Sequence, residues 1–253
     1  MMEIFDSHAH YDDSAFDADR DDLLASFPAH GVTGLCNMGT TLASSRAAAE
    51  LAEKYPFIYA AAGIHPEEAA SAGAEDVAHI RELIRSRPKI VAVGEIGLDY
   101  HCDVARDVQL ALFERQLALA RELDLPVSIH DRDAHADTLR LIQKYRPRGV
   151  VHCYSGSAEM AREILACGMY LGFTGVVTFK SNKKAPVVLA VVPHDRVLVE
   201  TDCPYMAPEP VRGQRCDSTM LVHTITRVAQ LLGLSPDETA AQTAANARAL
   251  FHI

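Results

Sequence analysis

Short apolar runs alternate with amphipathic stretches along all 253 residues of the chain. Eight such runs are rich in Val and Ile, which is typical of strands buried on both faces of a parallel sheet. They cover residues 3–8, 32–38, 57–63, 89–94, 126–130, 149–153, 169–173 and 197–201. We therefore predict eight strands separated by helices.

The stretches between the runs have the spacing of amphipathic helices. Leu110, Phe113 and Leu117 fall on one helical face, and Ser235-Pro236-Asp237-Glu238 is a capping box that predicts a helix start. Eight alternating units over about 250 residues predict an α/β chain that forms a single (β/α)8 TIM-barrel domain over residues 1–253. A doubly wound open sheet is the alternative, but no G-x-G-x-x-G follows any run.

The charge balance narrows the function classes. Asp and Glu number 34 against 24 Lys and Arg, so the net charge is −10. This excess argues against a broad basic face for nucleic acid and against binding to an anionic membrane surface. It leaves room for a local anion site. The 12 histidines are a second unusual feature.

We expect no targeting signal or membrane span in this sequence. Met1-Met2-Glu3 leads into the first run without a basic segment or an apolar leader. The longest uncharged run, 164–179, is shorter than the ~20 residues of a membrane span. The six cysteines form no C-x-x-C pair, so we interpret them as reduced thiols and expect a cytoplasmic protein.

In a barrel of this kind the active site lies at the carboxyl ends of the strands. The first run ends in Asp6-Ser7-His8-Ala9-His10, and strand alternation predicts that Asp6, His8 and His10 point the same way. Two imidazoles aimed at one point suit a divalent metal. An isolated H-x-H pattern is weak evidence, because it is common on exposed strands.

Further titratable residues stand at the ends of other runs. Glu95 follows run 89–94 directly, where a carboxylate is costly to bury unless it is paired or binds a metal. Taken singly, Glu95 is equally compatible with a metal ligand and with an ion pair, whereas His130 or His152 alone favours a hydrogen-bonded core or rim residue. Taken together, they predict two divalent ions that share a bridging group, without the thiolates of a structural zinc site. The predicted ligands are His8, His10, Glu95, His130, His152 and Asp202.

These residues carry a family resemblance. The chain resembles the TatD-type metal-dependent deoxyribonucleases, a branch of the amidohydrolase-like barrels, in segments that follow one another from Ile4 to Phe251. The segments include Asp6-Ser7-His8-Ala9-His10-Tyr11-Asp12, Gly94-Glu95-Ile96-Gly97-Leu98-Asp99-Tyr100, His152-Cys153-Tyr154-Ser155-Gly156 and Glu200-Thr201-Asp202-Cys203-Pro204-Tyr205.

The resemblance implies a division of the ligands between two ions, which could be Mg²⁺, Mn²⁺ or Zn²⁺. His8, His10, Glu95 and Asp202 would hold one ion, and Glu95, His130 and His152 the other. It further implies that His65 lines the substrate pocket and that Arg212 contacts a phosphate. We expect Asp99 to lie on the substrate side and, with Glu200, to orient histidines.

One loop departs from the family pattern. The family usually carries Asn and Pro where this chain has Cys216 and Ser218, within Arg212-Gly213-Gln214-Arg215-Cys216-Asp217-Ser218. The departure removes an amide and a rigid turn, and Asp217 adds negative charge where a phosphate is expected. The shape and substrate preference of this loop therefore depend on the tertiary structure.

We predict a deoxyribonuclease that hydrolyses phosphodiester bonds, preferably of single-stranded DNA, with a water activated by two metal ions. Asp202 would act as general base, and Glu95 would set the separation of the metals. A hydrolase of small amides, lactones or phosphoesters is the alternative, although Glu95 stands where cyclic-amide enzymes often carry a modified lysine. A non-catalytic metal-binding scaffold is disfavoured because no predicted ligand is missing. No membrane and no stable protein partner are implied.

Overall fold

The computed structural model describes residues 2–73 and 75–253. Eight parallel strands pair in sequence order within one sheet, which curves into a barrel. The strands are β1 (Ile4–Ala9), β2 (Val32–Met38), β3 (Ile58–Ala62), β4 (Ile90–Asp99), β5 (Val127–Arg132), β6 (Gly149–Val151), β7 (Tyr170–Phe173) and β8 (Val197–Val199). The (β/α)8 architecture predicted from the alternation of runs is confirmed.

Helices separate the strands and pack around the barrel. They are α1 (Arg20–Ser26), α2 (Leu42–Lys54), α3 (Asp76–Ser86), α4 (Arg106–Leu123), α5 (His135–Tyr145), α6 (Ala158–Ala166), α7 (Lys184–Leu189), α8 (Leu221–Leu232) and α9 (Pro236–Phe251). The capping box predicted at Ser235 and Glu238 begins α9. Within the two described ranges, no helix combines the length and apolar character needed to cross a bilayer.

The last helix closes the end of the barrel where the strands begin. Leu250 and Phe251 of α9 pack in one buried cluster with Phe5 of β1 and Leu198 of β8. The rings of Phe5 and Phe251 stack with centroids 6.2 Å apart. The opposite end of the barrel, where the strands finish, stays open for a site.

Strand β4 is longer than predicted, and its extension carries two acidic residues. The prediction ended this strand at residue 94, where the apolar run ends, yet pairing with β5 continues through Gly97 opposite His130 and Asp99 opposite Arg132. Gly97 permits the continuation, because a Cβ there would lie 2.0 Å from the His130 carbonyl oxygen and its φ is +144°. Glu95 is therefore part of β4 and does not follow it.

The shared orientation predicted for Asp6, His8 and His10 is wrong for Asp6. Asp6 and Ala9 are three positions apart in β1, whereas their partners Leu35 and Asn37 are two positions apart, so β1 contains an irregularity. The extra residue breaks the alternation of side chains. Asp6 instead accepts hydrogen bonds from Thr201 Oγ1 (2.7 Å) and Ser218 Oγ (2.6 Å).

Hydrogen bonds around that carboxylate help to join β8 to β1, where the barrel closes. The amide of Asp202 donates to the His8 carbonyl at 2.9 Å, and the amide of Thr201 donates to Asp6 Oδ1 at 3.0 Å. Burial raises the pKa of Asp6 to about 6, although the hydrogen bonds from Ser218 and Thr201 oppose the rise. This closure sets the position of Asp202 relative to the end of β1.

Candidate metal centre

The carboxylate of Glu95 lies at the centre of a histidine cluster and is 3% exposed. Its Oε2 lies 3.4 Å from Nε2 of both His8 and His10. Its Oε1 lies 2.9 Å from Nε2 of His152 and 3.1 Å from Nδ1 of His130. Each oxygen of one carboxylate therefore faces its own pair of imidazoles.

Within each pair the ring nitrogens converge on a single point. The Nε2 atoms of His8 and His10 are 3.1 Å apart, and His130 Nδ1 is 3.3 Å from His152 Nε2. Asp202 Oδ1 adds a carboxylate to the first pair, 3.6 Å from His8 and 3.5 Å from His10. Converging imidazole nitrogens and carboxylate oxygens form a donor set that fits divalent transition-metal ions.

The remaining nitrogens of these rings are oriented by other groups. His8 Nδ1 lies 3.2 Å from Ser128 Oγ, His10 Nδ1 lies 3.2 Å from the Met38 carbonyl, and His130 Nε2 lies 3.0 Å from Asp99 Oδ2. Such contacts fix ring orientation and tautomer in metal sites. Asp99 thus contacts a histidine, as expected from the sequence.

Glu200 supports the fourth histidine through the backbone. Its Oε1 lies 3.7 Å from His152 Nδ1, which is longer than a hydrogen bond, but it accepts the Cys153 amide at 2.6 Å. Its Oε2 accepts the Ser7 hydroxyl at 3.0 Å. A Cβ at Gly172 would lie 2.4 Å from the same Oε2, so the glycine makes room for this buried carboxylate.

The charges in the cluster depend on one another. Burial opposes ionisation, but neighbouring imidazoles hold the pKa values of Glu95 and Asp202 below their usual range. In turn, hydrogen bonds to Asp202 and Glu95 overcome burial and raise the pKa of His10 to about 10. Contacts with Asp99 and Glu95 likewise raise the pKa of His130 to about 9. Without metal, the carboxylates are ionised and these two histidines hold protons.

The cluster forms the floor of a cavity of 520 Å³ at the open end of the barrel. Seven carboxylate side chains line this mouth, against a single arginine, Arg132, among the described lining residues. A phosphate would be repelled by such a mouth unless cations were bound there. The acidic lining residues are Asp12, Asp13, Glu67, Glu68, Glu95, Asp99 and Asp202.

The structure brings two of the three predicted substrate residues to the mouth. His65 and Asp99 line it, and His65 Nε2 lies 3.6 Å from Glu95 Oε1. Arg212 is absent from the described lining residues, and its guanidinium lies over the Phe179 ring at 4.3 Å. Sequence reasoning did not single out Arg132, although alternation along β5 places it on the same side as His130.

Ser218, one of the two departures from the family pattern, makes contacts that a proline could not make in full. Its amide donates to the Tyr11 phenol oxygen at 2.7 Å, and its hydroxyl donates to Asp6. Nearby, Arg215 pairs with Asp19 at 2.6 Å. The loop after β8 is thus attached to the segment after β1 at two points.

The fold and the site together define the class of protein. It is a (β/α)8 barrel with a candidate catalytic metal site, formed by histidines and carboxylates, at the carboxyl ends of its strands. The model of the family described as TatD related DNase matches residues 5–252. The chain belongs to this family, and the family predicted from the sequence is confirmed.

Similar proteins support the assignment over the full length of the chain. An uncharacterized metal-dependent hydrolase, YabD, of Bacillus subtilis is 40% identical over 254 residues, covering 99% of each chain. A 3'-5' ssDNA/RNA exonuclease TatD of Cronobacter sakazakii is 38% identical, covering 98% of this chain and 97% of the other. The crystal structure of YjjV, a TatD homolog from Escherichia coli, superposes with a TM-score of 0.94 at 30% identity, covering 100% and 99%.

Proposed function

We propose that this chain is a metal-dependent exonuclease that removes nucleotides from the 3′ end of single-stranded DNA or RNA. The observation that carries the proposal is the position of Glu95, whose two oxygens each face a separate pair of histidines. The relatives named as 3'-5' ssDNA/RNA exonucleases support the substrate class and the polarity.

We assign one divalent ion to His8, His10, Glu95 and Asp202, and a second to Glu95, His130 and His152. Bound there, two divalent ions would polarise the phosphoryl oxygens and lower the pKa of a water. Imidazole and carboxylate ligands are compatible with Mn²⁺ or Zn²⁺, and carboxylates with Mg²⁺.

Asp202 is the proposed general base. Its side chain is 14% exposed and lines the mouth, so a water in the cavity can reach it. Because its pKa is held below the usual range, Asp202 is ionised at neutral pH and can accept a proton. As the water oxygen bonds to phosphorus, its proton passes to Asp202. One P–O bond breaks, and its electron pair leaves with the departing oxygen, which is then protonated.

His65 is the proposed phosphate contact outside the ligand set. Its Nε2 lies 3.6 Å from Glu95 Oε1 and its side chain is 12% exposed, so the ring borders both the cluster and the cavity. A ring N–H donor at this position can bind a phosphoryl oxygen. Arg212 is not assigned this role.

The depth of the centre supports an unpaired strand as substrate. Glu95 and His152, which line the mouth, are only 3% and 4% exposed. A phosphodiester within a duplex is flanked by the second strand, whereas the end of a single strand can enter a concave mouth.

The test uses protein stripped with a chelator and reloaded with Mg²⁺, Mn²⁺ or Zn²⁺. Substrates are 5′-labelled single-stranded DNA and RNA, the same strands with a blocked 3′ end, blunt duplex DNA, and small amides and lactones. We expect progressive shortening of unblocked single strands only. Asp202→Asn should lower kcat about 10²- to 10⁴-fold, whereas Asp195→Asn at an exposed surface pair should leave kcat unchanged. Intact oligonucleotides with every metal, together with turnover of an amide or lactone, would refute the exonuclease.

A further inference from the structure

Two apolar side chains are exposed at the rim of the mouth. Tyr205 is 58% exposed and Met206 40% exposed, and both line the cavity that contains the metal centre. Only two other large hydrophobic residues in the described ranges are comparably exposed, and both lie on helices, Val108 on α4 and Val187 on α7. We call Tyr205 and Met206 the rim platform.

Backbone contacts hold the rim platform at a defined distance from the metal centre. The Tyr205 amide donates to the Asp202 carbonyl at 3.0 Å, and the Tyr205 hydroxyl lies 3.4 Å from Asp13 Oδ2. Beneath Met206, a Cβ at Gly175 would lie 2.1 Å from the Met206 carbonyl oxygen. The glycine therefore permits the loop after β8 to approach the segment after β7 closely.

The mouth has a cationic group elsewhere on its wall. Arg132 is the last residue of β5, is exposed, and is the single Arg or Lys among the described residues that line the cavity. Its guanidinium makes no hydrogen bond or ion pair within residues 2–73 and 75–253. Its backbone is fixed, because its carbonyl accepts the Tyr100 amide at 2.9 Å. An unpaired guanidinium can bind a phosphate through two parallel N–H donors.

We propose that the rim platform stacks a nucleobase and that Arg132 binds a phosphate of the same strand, so that the mouth recognises a nucleotide and not only a phosphodiester group. This inference rests on the proposed nuclease function. Proteins bind single strands without base pairing by combining aromatic platforms with cationic contacts to the backbone, because every base has a π-face. The cavity of 520 Å³ lies within the range of sites for small ligands.

The experiment compares a single-stranded oligonucleotide with the same strand carrying abasic residues at its 3′ end. For the natural strand, Tyr205→Ala should raise KM about 5- to 150-fold, the range expected when one stacked base is lost. On the abasic strand, the KM of Tyr205→Ala should equal that of wild type. Tyr205→Phe retains the aromatic ring, so it should restore the preference for the natural strand over the abasic strand. Val187→Ala, at another exposed apolar site, serves as the matched control.

Arg132→Gln tests the phosphate contact. It should raise KM on natural and abasic strands alike and reduce the salt dependence of binding by about one ionic contact. Arg87→Gln, at a surface pair with Glu53, should change neither quantity. Bound metal should remain at the wild-type level in all variants, because neither Tyr205 nor Arg132 belongs to the ligand set.

The outcomes separate the inference from the proposed function. If wild type cleaves the natural strand and Tyr205→Ala discriminates against the abasic strand as strongly as wild type, the platform is refuted. Equal KM values for Arg132→Gln and wild type refute the phosphate contact. If metal-loaded wild type cleaves neither strand, the nuclease function fails. In that case, fluorescence anisotropy measures the binding of the natural strand and tests the platform independently of cleavage. Equal affinity of wild type and Tyr205→Ala for this strand refutes the platform.

Discussion

The Ser218 hydroxyl lies 2.6 Å from Oδ2 of Asp6, a buried contact between residues 212 positions apart. Asp6 is fully buried, and the amide and hydroxyl of Thr201 also donate to it. The resemblance noted in the sequence implies that Ser218 replaces a proline, which has neither an N–H nor a hydroxyl. In this chain, the departure contributes two hydrogen bonds to the closure between β8 and β1.

Ser218→Ala should destabilise the protein more at high pH than at low pH. The folded-state pKa of Asp6, about 6, lies above its usual 3.8, so Asp6 is neutral below both values and ionised above them. Its ionisation therefore reduces stability as pH rises through 6, and the Ser218 donor limits that loss. We expect a cost of about 1.5–3 kcal/mol at about pH 8 and roughly 1 kcal/mol at about pH 5.

The measurement is urea unfolding of metal-free protein at both pH values. Ser71→Ala, at an exposed serine, is the control and should change stability by less than about 0.5 kcal/mol. An equal cost for Ser218→Ala at the two pH values would contradict the role assigned to the Asp6 carboxylate.

Glu95→Gln and Asp202→Asn should separate metal binding from proton transfer. Gln offers one oxygen where Glu95 presents two, so Glu95→Gln should retain at most one ion per chain. Asp202→Asn keeps an oxygen ligand but cannot accept a proton at neutral pH, so it should bind metal and lose about 10²- to 10⁴-fold in kcat. Elemental analysis and steady-state kinetics supply the two readouts. Two ions retained by Glu95→Gln would argue against a shared carboxylate.

Asp99→Asn should weaken one metal position. The carboxylate lies 3.0 Å from His130 Nε2, and its loss makes the ring a poorer ligand. We expect about 10- to 100-fold weaker binding at the position formed by His130 and His152, with the position at His8 and His10 unchanged. Metal titration monitored by calorimetry measures the affinity at both positions. If KM rises instead while metal affinity stays the same, Asp99 acts on the substrate.

Metal affinity should rise with pH. In the metal-free protein, the pKa of His10 is about 10 and that of His130 about 9, so both rings are protonated at neutral pH. A metal ligand must be the neutral imidazole, so binding releases these protons. We expect affinity to increase about tenfold per pH unit for each proton displaced, between about pH 6 and about pH 8. Calorimetry in buffers of different ionisation enthalpy counts the protons, and zero release would contradict the assigned charges.

Much of the barrel could be predicted because its signals are local. Strand β2 has the predicted bounds, 32–38, since an apolar run flanked by polar segments defines a buried strand. Strand β4 extends to Asp99, beyond its apolar run, because Gly97 lets two backbones approach, and hydrophobicity does not report that contact. The order of strands around the barrel follows from the sequence order of the β–α units.

The sequence by itself determined which side chains can bind metal and that most of them stand near strand ends, since residue type and periodicity are local properties. Only the tertiary structure decided how they are arranged. An extra residue in β1 turns Asp6 toward Thr201, and the two oxygens of Glu95 face different histidine pairs. The path of the loop after β8 places Tyr205 at the mouth and Arg212 over Phe179. These features depend on strand register and on contacts between distant segments, which no local pattern encodes.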